Sequence, residues 1–487
     1  MGPLTRVGEL TDRVDCFVGE SLERAVSAHH RRRLRRVGWE HALDAAPSFW
    51  ADAGGAPQPG HEVEIFVDGA DALPAMVRAM RRARRRVLLA GWFFSADFRL
   101  EREGAGLTLE ELLRELGERI DVYVLAWAGA PLPVFRPARR EVRAQLSLLG
   151  RHAGVHVAAD SRERPMHCHH EKLVIIDDAQ AFIGGIDLTD VAGDRLDVRG
   201  HPYRGELGWH DAASLVSGPL APEVSAHFRM RWHEVTGETL EALPAGEPAV
   251  GGLTAQLVRT VPEHIYDALP RGEFSILEAY LGALRAATRL IYLENQFLWS
   301  SEVVAVLRDK LRNPPCDEFR LVVLLPSRPN NGADDTRGQL GVLVEADDDA
   351  HRFLACTLYA PGGSDAEKVY VHAKIGIVDD RWLTLGSANL NEHSLFNDTE
   401  VNVVVNDAEL ASATRRRLWA EHLELPEDAV AGDAHRVIDD IWRPRAREQR
   451  ARLTAGAPLT GRVVELPHVS RRTRRLFGPI QSLLVDG

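Results

Sequence analysis

Eight residues constrain this chain more than any other feature, because they occur twice. His-Glu-Lys-Leu-Val-Ile-Ile-Asp at 170–177 returns as His-Ala-Lys-Ile-Gly-Ile-Val-Asp at 372–379. Both copies read His-x-Lys-x4-Asp, and in each a glycine, Gly184 or Gly386, follows the aspartate by seven residues. The copies align without a gap at an offset of 202 residues. Repetition at a fixed offset marks a duplicated architecture.

The chemistry of the repeat points to phosphate. Each copy contains an apolar run with branched side chains, 173–176 and 375–378, of the kind that forms a buried strand. If the strand includes the whole motif, His170 and Lys172 project to one side, as do His372 and Lys374. Two such strands side by side offer two imidazoles and two ammonium groups to one point. Imidazole serves as nucleophile or general acid near neutral pH. The lysines place fixed positive charge where a phosphorane gathers negative charge.

At 487 residues the chain exceeds one ordinary core, which fits two domains or one duplicated domain. A formal charge of −12 argues against general adhesion to nucleic acid, and no nucleic-acid partner is expected. Cys16, Cys168, Cys316 and Cys356 are scattered without a Cys-x-x-Cys pair, which suits a reducing, cytoplasmic compartment. The first residues lead into mixed charge and show no signal peptide. The longest apolar runs are far shorter than a membrane span, so a lipid substrate would be met by peripheral contact with the bilayer.

Taken in order, residues 1–55 read as a helical segment with a basic stretch at 29–36, expected to be a solvated helix end. A Gly/Pro linker at 53–60 precedes a first half at 56–240. Its pattern is strand 62–67, helix 71–86, strand 87–95, helix 108–119, strand 121–127, helix 137–149 and strand 154–158, ahead of the first motif. Strand 211–216 and helix 222–232 close it. A second linker at 236–252 precedes a matching half at 253–430, with helix 275–288, strand 290–297, helix 301–312, strand 320–325 and a helical region at 339–354. Strand 400–405 and helix 410–423 follow the second motif. Residues 431–487 form a basic C-terminal tail with no assigned role.

These residues resemble the phospholipase D superfamily, the duplicated His-x-Lys-x4-Asp enzymes, over most of 60–425. Ala-Phe-Ile-Gly-Gly-Ile-Asp-Leu-Thr at 181–189, Trp-His-Asp at 209–211, Ile-Tyr-Leu-Glu-Asn-Gln-Phe at 291–297 and Gly-Ser-Ala-Asn-Leu-Asn at 386–391 are similar to segments of its phospholipid-cleaving branch. The resemblance implies an α/β fold of two similar α/β/α sandwich halves about a pseudo-twofold axis, with both motifs lining one pocket. Single-motif nucleases of the superfamily dimerise; a chain holding both motifs is expected to be a monomer. The resemblance also implies cofactor-free and metal-independent phospholipid cleavage to phosphatidic acid, or transfer to another alcohol, through a phosphohistidine. His170 would be the nucleophile and His372 the acid/base, in an assignment that near symmetry leaves reversible. Lys172, Lys374, Ser387 and Asn389 would bind phosphate. Asp211 and Glu400 would fix the two imidazole tautomers. Asp177 and Asp379, the remaining members of the catalytic motif, are expected to stabilise local structure and not to touch substrate.

Three departures stand out. Gly185 and Asp187 occupy the places of Ser387 and Asn389, which makes the phosphate cradle lopsided. His393 stands where the branch often has Arg, with a consequence expected at the pocket rim. The run 190–197 matches the family weakly. His167, Cys168, His169 and His170 raise a metal site, but alternate strand residues face opposite ways and the two-residue spacing gives poor tetrahedral bite. A nuclease or other non-lipid phosphodiesterase shares every motif residue, while a non-catalytic lipid-binding scaffold sits poorly with two intact motifs.

Overall fold

The computed structural model describes residues 25–102, 106–131, 136–191, 193–204, 207–244, 251–328, 333–362 and 365–466. The apolar spacing read at 14–25 falls almost entirely outside these residues, as do part of the second linker and the end of the tail.

Each motif enters the middle of a mixed sheet, and the two sheets are built alike. The first runs Gln58–Val67, Ala212–Ser217, Gln180–Gly184, Leu173–Ile176, Arg86–Gly91, Asp121–Trp127 and Val155–Asp160. Its first four junctions are antiparallel and its last two parallel. The second runs Leu253–Val261, Glu400–Asn406, Trp382–Gly386, Ile375–Val378, Leu290–Glu294, Arg320–Leu324 and Phe353–Gly362, with the same sequence of junctions. The sheets join where Gln58–Val67 pairs antiparallel with Leu253–Val261. A second crossing pairs Gly208–His210 with Asp365–Val371.

Helices cover both faces, which explains the uninterrupted apolar motif strands. Val174 and Ile176 pack with helices Gly69–Arg82, Leu109–Gly117 and Arg139–Leu149. Leu173 and Ile175 face the opposite core, with Val224, Phe228 and Trp232 of helix Leu220–Thr236. Ile375 and Ile377 likewise meet Leu418 and Trp419 of helix Ala408–Leu423. Among the described residues no helix is long and apolar enough to cross a membrane.

The motif aspartates act at the far end of the strand from the histidines. Asp177 and Asp379 each open a hairpin turn in the left-handed region, with φ of 52° and 53°, which a short polar side chain tolerates. The Asp177 carboxylate accepts the backbone N–H groups of Arg84, Arg85 and Arg86 at 2.8–2.9 Å. Asp379 accepts those of Thr288, Arg289 and Leu290 at 2.7–2.8 Å. These six amides lead into the neighbouring central strands, so each aspartate sets the approach of one strand to the next. Asp177→Ala or Asp379→Ala is expected to cost roughly 2–4 kcal/mol, because three amides lose a charged acceptor. Urea titration measures this; an unchanged midpoint would contradict the role. The downstream glycines are spaced for the same hairpin: a Cβ on Gly184 or Gly386 would collide with the adjacent strand.

Several elements depart from the sequence reading. His170 and Lys172 precede their strand, which begins at Leu173, and His372 and Lys374 likewise precede Ile375. The helix expected at 71–86 ends at Arg82, because Arg86 already belongs to the next strand. The region 339–354 is not all helix. Helix Ala333–Asp347 gives way to strands Phe353–Gly362 and Asp365–Val371, the first of them the parallel edge partner of Arg320–Leu324. The C-terminal segment packs through buried Ile438 and Trp442 and adds strand Val463–Glu465 to Phe353–Gly362. In the basic N-terminal helix, Arg33 is buried on Glu263 and the Phe396 carbonyl, so the segment is anchored as well as solvated.

Candidate active site

The connections leading into the two motif strands bring His170 and His372 into one buried, charged locus. His170 Nδ1 lies 3.0 Å from Glu400 Oε1 and 3.1 Å from the Ser387 carbonyl. His372 Nδ1 lies 2.6 Å from Asp211 Oδ2. Each imidazole thus takes its carboxylate from the opposite half. The crossing follows from the chain path: His170 N–H donates to the Thr399 carbonyl, and His372 N–H to the His210 carbonyl.

Each lysine folds back on its own motif. Lys172 Nζ donates to the His170 carbonyl at 2.7 Å, and Lys374 Nζ donates to that of His372. That bond, not strand alternation, keeps His and Lys together. Lys172 also sits 3.4 Å from Asp187 Oδ2. Burial and the charges of Lys374, Arg195, Lys172 and His170 hold His372 well below the ordinary imidazole range. Burial lowers Lys374 to about 7, with Asp211 opposing the shift and Lys172 adding to it. Burial pushes Asp211 up against the pull of Lys374, and Glu400 well up against that of Lys172.

An anion bound among these groups favours the charged form of Lys374. Phosphate or vanadate binding should therefore take up protons above pH 7 and weaken as pH rises past that value. Calorimetry in buffers of different ionisation enthalpy reads this directly. Affinity that stays constant from pH 6 to 9, without proton uptake, would contradict the assignment.

The cradle is lopsided for a steric reason. Ser387 Oγ donates to Glu400, and Ser394 Oγ donates to the same carboxylate at 2.6 Å. In the first half a Cβ on Gly185 would run into the Asp211 carboxylate, so a serine there would displace it. Asn389 Nδ2 donates to Gln296 Oε1 at 3.3 Å, and Gln296 Nε2 reaches Tyr370 Oη at 2.9 Å, while Asn389 Oδ1 is buried with no hydrogen bond among the described residues. Asp187 instead faces Lys172.

The structure adds Arg195, Trp209, Tyr370 and Ser394. The Arg195 guanidinium lies 3.5 Å over the Trp209 ring, which stacks on Tyr370 at 4.6 Å and meets His372 at 5.0 Å. Arg195 hides in the weakly matching run 190–197; an arginine five residues beyond an Asp-Leu-Thr-Asp segment was the available signal. His393 is fully buried, not on a rim, with Nδ1 2.9 Å from His167 Nδ1. The four-residue stretch from His167 diverges: His169 meets Asp160 and Thr399, and His170 meets Glu400.

A mixed α/β fold with a His-x-Lys pair leading into the motif strand of each sheet defines the class. A family model described as cardiolipin synthase, PLD-like domain, matches residues 326–421. Phospholipase D A of Dictyostelium discoideum is 26% identical, over 77% of this chain and 37% of that protein. Phospholipase D1 of Schizosaccharomyces pombe is 25% identical, over 76% and 36%, and phospholipase D2 of Bos taurus 23% identical, over 74% and 51%. The matches thus span between about a third and a half of these relatives' own length. Phosphatidylserine synthase of Haemophilus influenzae shares the fold at a TM-score of 0.50 and 12% identity, over 81% of this chain and 93% of that one. These likenesses support a phospholipase D superfamily member.

Proposed function

We propose that this protein cleaves a phospholipid phosphodiester to phosphatidic acid and a free headgroup alcohol, with transfer to an acceptor alcohol as the competing outcome. One observation carries the reading: both imidazoles are tied through Nδ1 to a buried carboxylate, which leaves Nε2 for chemistry. His170 Nε2 forms a bond to phosphorus as the phosphorus–oxygen bond to the headgroup breaks, and His372 gives that oxygen its proton. His372 then takes a proton from water or an acceptor alcohol, whose oxygen displaces the imidazole. Lys172, Lys374 and Arg195 stabilise the charged phosphoryl oxygens, with Ser387 and Asn389 lining the same cradle. The bound phosphate anion offsets the cationic charge that depresses His372, so substrate binding favours its protonation as an acid. Asp177 and Asp379 hold the scaffold.

A lipid substrate is favoured by the named relatives and by the loop carrying Arg195. Val191, Tyr203 and Leu207 stand 39%, 43% and 38% exposed there, apolar side chains suited to peripheral contact with a bilayer. The protein works as a monomer in this reading, since one chain supplies both motifs. Detergent-dispersed phosphatidylcholine should yield phosphatidic acid without an added metal ion, and a primary alcohol should divert product to the phosphatidyl alcohol. Cleavage of single-stranded DNA with no lipid turnover would overturn it.

A further inference from the structure

We infer that Asp68, His201, His210 and Glu421 form a closed site for a divalent transition-metal ion, of zinc type, bracing the junction between the halves. The four side chains are between 0% and 3% exposed, and their donor atoms all lie within 4.8 Å of one another. His201 Nε2 is 3.5 Å from Asp68 Oδ2 and 3.6 Å from Glu421 Oε1, and His210 Nδ1 is 3.0 Å from Asp68 Oδ1. A tetrahedral ion with bonds of about 2.0–2.2 Å places neighbouring donors roughly 3.3–3.6 Å apart, which the two His201 distances match, while the 3.0 Å contact is a direct hydrogen bond of His210 to the other oxygen of Asp68. Asp68 Oδ2 and His201 Nε2 are buried and, beyond their long 3.5 Å approach to each other, have no hydrogen-bond partner among the described residues.

The far side of each imidazole is also arranged for ligation. His201 Nδ1 lies 2.9 Å from Asp197 Oδ2, and Asp197 is fixed by the Val198 and Trp209 amides and by Arg204. His210 Nε2 lies 2.8 Å from Glu294 Oε2, while Glu294 Oε1 is held by His422 and Tyr292. A carboxylate behind each ligating histidine fixes its tautomer and strengthens it as a donor. Two anionic ligands balance a divalent ion. The Arg199 guanidinium approaches Glu421 only at 3.7 Å. Two nitrogen donors disfavour calcium and magnesium.

The ion belongs to the scaffold, and no reaction step passes through it. Asp68 and Asp211 exchange backbone and side-chain hydrogen bonds, so the site stands directly behind the carboxylate that holds His372. The inference is independent of the substrate.

Untagged full-length protein, equilibrated with zinc and dialysed against metal-free buffer, should retain about one zinc per chain by mass spectrometry. Prolonged treatment with a strong chelator should lower its melting temperature, and zinc should restore it. Cobalt loading of the wild-type chain should give the intense visible bands of tetrahedral Co²⁺. Asp68→Asn and His201→Gln should lose zinc, whereas His393→Ala, which breaks the separate His167–His393–Asp398 cluster, should keep it. No retained zinc in the wild type, an octahedral cobalt spectrum, or zinc lost only in His393→Ala would each overturn the assignment.

Discussion

His170→Ala should reduce headgroup release from dispersed phosphatidylcholine by at least about 10⁴-fold, with little change in melting temperature. In the proposed mechanism its Nε2 is the atom that bonds phosphorus. His170 is 6% exposed and its ring is oriented by Glu400, which Ser387 and Ser394 hold in turn. Removing the ring leaves the acid, the lysines and the substrate site, yet no atom to form the covalent intermediate. A His170→Ala enzyme that turns over at wild-type rate would remove the nucleophile from the proposal.

Asp211→Asn is expected to cost about 10²- to 10⁴-fold in kcat, with a much smaller effect on KM. The Asp211 carboxylate accepts from His372 Nδ1 at 2.6 Å, and its other oxygen accepts the Ala212 N–H at 2.8 Å. An amide can turn its N–H toward Nδ1, which moves the imidazole proton to Nε2 and blocks proton transfer there. The change is nearly isosteric, so fold and binding should survive. The pH–rate profile separates a positioning effect from general damage: loss of the carboxylate lowers the His372 pKa further and moves the alkaline limb of headgroup release, where His372 must carry its proton, to lower pH. Glu400→Gln should be milder, since two serine hydroxyls still orient the group at position 400. A wild-type pH profile in Asp211→Asn would show that Asp211 does not act through His372.

Most of the architecture is legible because the motif is repeated and its neighbours are periodic. The strand at 121–127 and the helix at 301–312 coincide with the structure, for their apolar spacing and capping residues agree. Thr108 begins its helix with a reciprocal bond to Glu111, the short-range signal that its sequence carries. What escaped depends on distant partners. The strand Phe353–Gly362 follows a helix directly, and its edge pairing with 463–465 is invisible in its own composition. Placing both carboxylates after their motifs was possible from sequence spacing. Their exchange between halves was not, because it depends on how the two sheets meet. Arg195 carries only its spacing from the Asp-Leu-Thr-Asp segment as a local signal: its place is fixed by Trp209, fourteen residues on.

The joint action of two imidazoles on one phosphorus is tested most directly with a nitrophenyl phosphodiester, whose leaving group needs no acid. Mixed with His372→Ala, it should release one equivalent of nitrophenol in a burst. Alkaline-quench mass spectrometry should place the phosphoryl adduct on the peptide containing His170, because no base remains to activate water. Absence of both burst and adduct, or sustained wild-type turnover by the variant, would contradict a shared phosphorus between His170 and His372.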